Sequence, residues 1–384
     1  MLSRKERVVQ VQERVNNDWA RYWWSFMMEF EDKLDWDELF MNPNVSPELI
    51  RENPDKAWNW YLITSHSKNI LHIIKAFPDN QWDWYDLSWN RNITLDFVKD
   101  NPDKPWNWIR LSWNPNITLD FITANIDRPW HWQYLSSNKM VTMEFINSYP
   151  DKSWDWETIS RNPNITMKDI IENPDKDWDW GSISMNHNLT MQIIKENPGN
   201  PWNWTCVSGN PNITMDFIKD NIDNPWDWES LSRNKNITLD FIREYIDKPW
   251  DWGSISLNPN ITLDFVIENQ DKPWIWRYIS SSQSITLDTI NSHPNYPWDW
   301  GRISGRFILT FDFIKANPDK HWSWVNISGH YFTTEKNAFQ VQQYRRHLAS
   351  YRIQQHWHRI RSDPRHPVGR KRLERDYDRD FGLS

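Results

Sequence analysis

The residues that come closest to a metal site are three histidines near the C-terminus, His347, His356 and His358. A His-x-His pair with a third histidine in the same segment supplies imidazole nitrogens, which zinc readily binds. The spacing differs from that of known zinc motifs, and the surrounding residues are basic. We therefore predict solvated histidines on a basic helix and no metal site.

Aspartate is the other residue type whose recurrence could indicate chemistry, since paired carboxylates carry out acid–base catalysis. It recurs at three positions of a 24-residue repeat, where it equally suits helix starts and exposed faces. The chain has no phosphate-binding loop, dinucleotide fingerprint, nucleophile elbow or zinc-protease motif. The sequence therefore predicts a protein that is not an enzyme, with no catalytic residues and no cofactors.

The element that must position any functional side chain is the repeat itself, which opens on a Trp-x-Trp pair. Twelve such pairs follow at steps of 24 residues from 58/60 to 322/324, and Leu34-Asp-Trp36 is a weaker copy one step earlier. A buried tryptophan contributes about 4–6 kcal/mol gross, whereas ordering 24 residues costs on the order of 36 kcal/mol. Neighbouring repeats must therefore share their tryptophans.

Residues 106–129 illustrate the helices predicted for each repeat, with the first tryptophan, Trp106, as position 1. Thr118, at position 13, suits an N-cap, and Ile117 and Ile122 have the spacing of a hydrophobic staple. The Asp-Lys-Pro turn at the end of each repeat predicts a second helix that runs into the next repeat. The aspartate at position 22 would cap this helix, and both tryptophans of the next repeat would lie inside it. We expect an all-α protein, an α-solenoid of about thirteen two-helix repeats with helical caps and helices of eight to ten residues. The Asn-x-Thr strings at positions 11–13 then serve turns and caps, not glycosylation.

A leucine-rich-repeat-like solenoid is the alternative, because that fold has repeats of similar length and a Leu-x-x-Asn pattern. It would place a strand at positions 3–7, with an apolar residue at position 4. Position 4 instead holds residues such as Gln133, Glu157 and Gly181. The helical caps and the prolines also favour two helices.

The two ends of the chain depart from the repeat. Residues 1–33 have apolar residues at helical spacing and are predicted to form an N-terminal capping helix, or alternatively a separate docking helix. The repeats occupy 34–334, and 335–361 form a basic amphipathic helix that can cap the other end. Residues 362–384 are a polar tail, which we expect to be disordered.

Composition indicates where the protein resides. The single cysteine, Cys206, excludes a disulfide framework within the chain. The first residues lack the apolar core of a signal peptide, and no stretch has the roughly 20 apolar residues of a membrane span. We expect a soluble, intracellular, non-secreted protein without membrane contact, and the sequence leaves its oligomeric state open.

Variable positions within a constant frame are the expected recognition surface of a repeat protein. Positions 4, 5 and 8 vary, and in the second to fifth repeats they are rich in aromatics, which are frequent interface anchors. The alternative is that Trp89 and Trp113 only extend the core. The candidate partner-binding residues are Tyr61, Tyr85, Trp89, Ile109, Trp113 and Tyr134.

Charge suggests a second kind of contact. Residues 34–334 carry 26 Lys and Arg against 40 Asp and Glu, whereas 335–384 carry 12 against 6. The basic segment could bind nucleic acid, or it could fold back on the acidic repeats. The basic residues concerned are Arg345, Arg346, Arg352, Arg359, Arg361, Arg370, Lys371 and Arg372.

The string Trp-x-Trp-x-x-Ile/Leu-Ser-x-Asn-Pro-Asn-Ile-Thr-Leu/Met-Asp-Phe-Ile resembles the repeat of the tryptophan-repeat proteins of giant amoeba-infecting DNA viruses of the mimivirus kind. The resemblance covers about 300 of the 384 residues and leaves out both ends. It implies a viral origin, and hence a place in the host-cell cytoplasm or the viral factory, but no reaction or ligand. Together these patterns predict a non-enzymatic scaffold or adaptor that binds a protein, with a host protein as one candidate. The alternative is a nucleic-acid-associated protein that acts through its basic C-terminus.

Overall fold

The computed structural model describes residues 4–362, with the side chains of residue 6 and residues 8–347. All regular structure in this part of the chain is helical, and it contains no strand. The prediction of an all-α solenoid is therefore confirmed, and the leucine-rich-repeat-like alternative is wrong.

Helices are numbered in chain order. The chain begins with α1 (Arg4–Met28) and a 3-10 turn (Glu31–Lys33), and the described part ends with α27 (Thr333–Ser362). The helices that begin on or near Trp-x-Trp are α2 (Trp36–Met41), α4 (Trp60–His66), α6 (Trp84–Trp89), α8 (Trp108–Leu111), α10 (Trp132–Leu135), α12 (Trp156–Arg161), α14 (Trp180–Met185), α16 (Trp204–Gly209), α18 (Trp228–Arg233), α20 (Trp252–Ile255), α22 (Trp276–Ile279), α24 (Trp300–Ile303) and α26 (Trp324–Ser328). Those between them are α3 (Pro47–Glu52), α5 (Ile70–Ala76), α7 (Leu95–Asp100), α9 (Leu119–Ala124), α11 (Met143–Ser148), α13 (Met167–Glu172), α15 (Met191–Glu196), α17 (Met215–Asp220), α19 (Leu239–Glu244), α21 (Leu263–Glu268), α23 (Leu287–Ser292) and α25 (Phe311–Ala316).

The threonine-capped helix follows the predicted pattern. In the repeat 106–129, the Thr118 hydroxyl accepts a hydrogen bond from the Phe121 N–H at 3.3 Å, and α9 follows directly. Ile117 and Ile122 are both fully buried, as a hydrophobic staple requires. The local sequence is therefore sufficient to define this helix.

The prediction for the second helix is wrong at its start and in its length. In the same repeat α8 begins at Trp108, and its N-cap is Asn107, whose Oδ1 accepts from the Arg110 N–H at 2.9 Å. The helices of the repeats span four to seven residues, not eight to ten. The reason lies at Trp106. Its indole N–H donates to the Asn101 carbonyl at 2.9 Å, and its backbone N–H donates to the Lys104 carbonyl at 2.8 Å. These bonds hold the first tryptophan in a turn, so a helix can begin only after it.

Neighbouring repeats share their tryptophans, as the energetics predict. The second tryptophan of one repeat packs edge-to-face on the first tryptophan of the next. Trp84 and Trp106 have ring centroids 4.9 Å apart at 89°, and Trp108 and Trp130 repeat this at 5.1 Å and 88°. This geometry adds about 0.5–1.5 kcal/mol per pair beyond the buried area.

Hydrogen bonds between repeats form a second, polar connection, which we call the asparagine ladder. Asn186, at position 9, is buried and donates from Nδ2 to the Ser160 and Asn162 carbonyls at 2.9 and 3.2 Å. Ser160, at position 7, accepts the Asp179 N–H through Oγ at 3.0 Å. Asn162, Asn210, Asn234 and Asn258 likewise donate to carbonyls 26 and 24 residues earlier.

The asparagine at position 11 also joins neighbouring repeats. Asn188 donates from Nδ2 to the Pro163 and Ile165 carbonyls at 2.6 and 3.1 Å. A glycan on this nitrogen would disturb both bonds. The Asn-x-Thr strings therefore serve contacts between repeats as well as caps.

The chain divides into two compact units. The central unit comprises Thr64–His66 and Asp79–Ile303, and the terminal unit comprises the described parts of Met1–Ile63, Ser67–Pro78 and Ser304–Ser384. The central unit consists of successive repeats joined by the contacts above. The terminal unit brings together residues from both ends of the sequence.

Within the terminal unit, the first repeat packs on the last through the same contacts that join sequential repeats. Asn42 donates to the Ser328 and His330 carbonyls at 2.9 and 3.0 Å, and the Asp35 N–H donates to Ser328 Oγ at 2.9 Å. These partners occupy the positions that the preceding repeat provides elsewhere in the asparagine ladder. We call this junction between α2 and α26 the seam.

Helix α1 contacts repeats on both sides of the seam. Its Trp24 stacks on Trp58 of the second repeat, with ring centroids 5.7 Å apart. Its Phe26 stacks on Phe311, near the end of the array, at 3.9 Å. Helix α27 packs against α1 in turn, with Phe339 beside Tyr22 at 5.3 Å. Helix α1 therefore contributes buried side chains such as Trp19 and Trp23 to the core of the terminal unit, and α27 packs on α1.

Candidate partner-binding surface

The aromatic residues predicted to bind a partner lie on the helices that begin with Trp-x-Trp, on the side away from the core. Within the central unit, Tyr85 is 50% exposed, Trp89 40% and Trp113 41%. Ile109 is also exposed and Tyr134 is half-buried. Tyr61 belongs to the terminal unit, where it is exposed on α4.

Four of these side chains form one contiguous group in the central unit. Trp89 and Trp113 have ring centroids 5.5 Å apart, and Trp113 and Tyr134 are 4.9 Å apart. The Arg110 guanidinium lies 3.7 Å from the centre of the Tyr85 ring and 5.4 Å from that of Trp89. We call these five residues the aromatic cluster. It continues over α6, α8 and α10.

Arg110 is held in place by a buried carboxylate. Its Nη1 lies 3.8 Å from Asp86 Oδ1, and Asp86 is only 6% exposed. Burial raises the pKa of Asp86, and the nearby Asp83 raises it further, whereas Arg110 lowers it. A guanidinium that is both paired and stacked on rings presents a fixed surface to a partner.

The core of these repeats is formed by other residues. Leu87, Leu111 and Leu135, at position 6, are fully buried. Trp89 and Trp113, at position 8, leave about two-fifths of their surface in water. The exposed aromatic surface is therefore additional to the core that the fold needs.

The equivalent surface of later repeats has a different character. Positions 4, 5 and 8 there hold small residues such as Gly181, Ser182 and Gly209, with isolated apolar residues at Met185 and Leu257. No ring–ring contact between these positions occurs in the later repeats of the central unit, all of which the structure describes. The aromatic cluster is thus a local feature on a common frame.

Sequence analysis missed the cations that cover the second tryptophan of several repeats. Lys104 Nζ lies 5.2 Å from the Trp84 ring centre, and Arg128 lies 5.0 Å from that of Trp108. The same contact recurs at Lys152, Lys176, Lys248 and Lys272. The signal was the regular lysine or arginine at position 23, which the sequence analysis treated only as part of a turn.

The basic C-terminal residues are described only in part. Arg345 and Arg346 are exposed on α27. The side chains of Arg352, Arg359 and Arg361, together with residues 370–372, lie outside the described residues. The nucleic-acid contact proposed for this segment therefore stays a prediction.

The histidines near the C-terminus are likewise only partly described. Burial lowers the pKa of His347, and the nearby Arg14 lowers it further. The side chains of His356 and His358 lie outside the described residues. Among the described side chains, no group of three or more His, Cys, Asp or Glu is placed to hold a metal ion.

Two further observations complete the description. Within residues 4–362, no helix combines the length and the apolar character needed to cross a bilayer. No protein-family model, curated protein or solved structure matches this chain.

Proposed function

We propose that this protein is a non-enzymatic repeat scaffold that binds a protein partner through the aromatic cluster. The observation that carries the proposal is the partly exposed row of rings Trp89, Trp113 and Tyr134, which contact one another at tilted angles and are extended by Tyr85 and Arg110. Tyrosine, tryptophan and arginine are the residues most often found at the energetic centres of protein interfaces. They lie together here on α6, α8 and α10, the Trp-x-Trp helices of three successive repeats.

The rigidity of the cluster supports binding. Each helix that carries it is anchored by a fully buried residue at position 6. Edge-to-face tryptophan pairs join the three repeats to one another, at Trp84–Trp106 and Trp108–Trp130. Side chains that are already ordered lose little conformational entropy on binding. A partner that covers these rings would therefore retain most of the interaction free energy.

The composition of the cluster indicates the kind of partner. Its only cation, Arg110, is paired with Asp86, so the surface offers rings, hydroxyl groups and one neutralised guanidinium. Such a surface suits apolar and aromatic side chains of a protein segment. It offers little unpaired positive charge for a phosphate backbone.

The test is affinity capture from cells that naturally contain the protein. The cluster variant carries Trp89→Ala and Trp113→Ala, and the matched control carries Met185→Ala and Leu257→Ala at the same repeat position. We expect a specific protein to be retained by the wild type and the control but lost by the cluster variant. Far-UV circular dichroism of both variants verifies that they are folded.

Two results would contradict the proposal. Equal capture by the cluster variant and the control would show that the cluster is not the binding surface. Recovery of nucleic acid without a protein, dependent on the basic residues Arg345 and Arg346, would favour the alternative function.

The resemblance to the tryptophan-repeat proteins adds a setting to this proposal. On that basis we propose that the partner is met inside an infected host cell, in the cytoplasm or the viral factory. The repeat motif supports that setting, and capture from infected and uninfected cells tests it.

A further inference from the structure

A concave surface lies in the terminal unit, at the seam. It is a cavity of about 350 Å³ formed by residues of the first repeat and the last two repeats. This volume falls in the range of small-molecule sites, about 300–1,000 Å³. Residues that matter for its chemistry are Glu38, Gly305, Phe307, Asn326, Gly329 and Tyr331.

The cavity exists because position 8 is glycine in both of the last two repeats. Several other repeats hold large side chains there, such as Trp113, Arg161 and Met185, although Gly209 is a further glycine at this position. A Cβ atom on Gly329 would lie 3.0 Å from Glu38 Oε2, and one on Gly305 would lie 3.7 Å from the Asn326 side chain. The two glycines therefore leave open the space in front of Glu38.

Glu38 gives the cavity its charge. The side chain is half-buried on α2, and no described lysine, arginine or histidine lies within ion-pair distance of it. A carboxylate that is partly removed from water without a counter-ion gains from a bound cation. Its backbone N–H is already bonded to Asp35 Oδ1 at 2.9 Å, so only the carboxylate remains for a ligand.

Aromatic rings form the other walls. Phe307 is 60% exposed and Tyr331 is 44% exposed. Tyr331 already holds one cation, since Lys68 Nζ lies 4.2 Å from its ring centre. Rings beside a carboxylate favour a cation with an attached alkyl chain, because the charge meets the carboxylate and the ring faces while the chain contacts apolar surface.

We propose that this seam cavity binds an alkylammonium group, with Glu38 as the counter-ion and Phe307 and Tyr331 as the aromatic walls. The same chemistry could come from a free amine or from the lysine side chain of a peptide. The site is separate from the aromatic cluster and does not depend on the function proposed for it.

The experiment titrates the full-length protein with three probes by isothermal calorimetry and ligand-observed NMR. The probes are n-butylammonium, its neutral counterpart n-butanol, and Nα-acetyl-lysine methylamide. We expect both ammonium probes to bind at least about tenfold more tightly than butanol, as a charge-assisted contact implies. Tighter binding of the lysine derivative would identify a peptide side chain as the source, and tighter binding of butylammonium a free amine.

Three variants test the assignment. Glu38→Gln keeps the shape of the site and should weaken the ammonium probes about tenfold without changing butanol binding. Gly305→Met fills the cavity from a position where a Cβ is tolerated, and it should abolish binding of all probes. Glu157→Gln removes an exposed carboxylate of the central unit and should change nothing.

Equal affinity for butylammonium and butanol would overturn the proposal. The proposal would also be overturned if Glu38→Gln bound the ammonium probes with unchanged affinity and melted at the same temperature as the wild type. If Glu38→Gln does not fold, Gly305→Met provides the test. Retained ammonium binding in Gly305→Met would show that the cavity is not the binding site.

Discussion

Replacing one asparagine of the ladder should destabilise the array more than removing a larger apolar side chain next to it. Asn186→Ala removes two hydrogen bonds, to the Ser160 and Asn162 carbonyls at 2.9 and 3.2 Å. It also removes Oδ1, the acceptor for the Asn188 N–H at 2.8 Å.

The magnitude follows from these three bonds. Each lost hydrogen bond to a carbonyl costs about 1 kcal/mol, and an N–H left without its acceptor costs about 1–3 kcal/mol. The Asn162 carbonyl keeps a second bond, from the Ile165 N–H at 3.0 Å, which limits the loss there. We therefore expect Asn186→Ala to lower the free energy of unfolding by about 3 kcal/mol.

The neighbouring residue provides the control. Met185 is 45% exposed, so Met185→Ala should change the free energy of unfolding by no more than about 0.5 kcal/mol. Asn186→Asp keeps the size of the side chain but replaces the amide donor by an acceptor. It should be at least as destabilising as alanine at neutral pH.

The assay is urea unfolding followed by far-UV circular dichroism, together with native-state hydrogen exchange. Long repeat arrays can depart from two-state unfolding, so both the midpoint and the m-value must be compared. Hydrogen exchange at the Asn188 amide reports locally on its bond to Asn186 Oδ1. Equal unfolding curves for Asn186→Ala and Met185→Ala would refute the conclusion that the ladder joins the repeats.

Two further predictions concern the terminal unit and the core. Burial raises the pKa of Glu335 to about 7 from its ordinary 4.5. The protonated Glu335 side chain is therefore favoured in the folded protein, so its contribution to stability is present below pH 4.5 and is lost as the pH rises to about 7. Glu335→Gln should remove this loss, on the order of 2–3 kcal/mol, so the variant should have a higher urea midpoint than the wild type at pH 8. A midpoint that is no higher than that of the wild type would contradict this prediction. In the core, Trp106→Ala should cost about 3–5 kcal/mol as a large-to-small change, whereas Trp113→Ala should cost about 1 kcal/mol because that side chain is 41% exposed. Thermal unfolding of the two variants compares them, and equal losses would mean that Trp113 belongs to the core.

The sequence was sufficient for features that depend on neighbouring residues. Thr118 and the staple of Ile117 and Ile122 mark the start of α9, because a cap and its helix lie within a few residues of each other. The periodic tryptophans also allowed the sharing of side chains between repeats to be inferred from energetics alone. The exposed position of Trp89 and Trp113 follows from their place outside the constant frame.

Contacts between distant residues could not be predicted in the same way. The aspartate at position 22 has the local pattern of a cap, but the indole bond of Trp106 to Asn101 delays the helix to Trp108. The role of Asn186 depends on carbonyls 24 and 26 residues away. Its only sequence signal is that asparagine persists at position 9 while the next residue varies.

The seam had no signal in the local sequence. Asn42 has the appearance of an ordinary ladder residue, and nothing nearby indicates that its acceptors, Ser328 and His330, lie at the other end of the repeats. The seam cavity was missed for the same reason. Glu38 and Gly329 come together only when the first and last repeats pack.

The most direct test of partner binding by the aromatic cluster is site-specific photo-crosslinking. A photoreactive phenylalanine analogue replaces Trp113 in one version of the protein and Leu257, at the same repeat position, in the other. After irradiation in cells that naturally contain the protein, we expect one defined protein adduct from position 113 and none from position 257. Adducts of the same partner from both positions, or from position 257 alone, would contradict binding at the aromatic cluster.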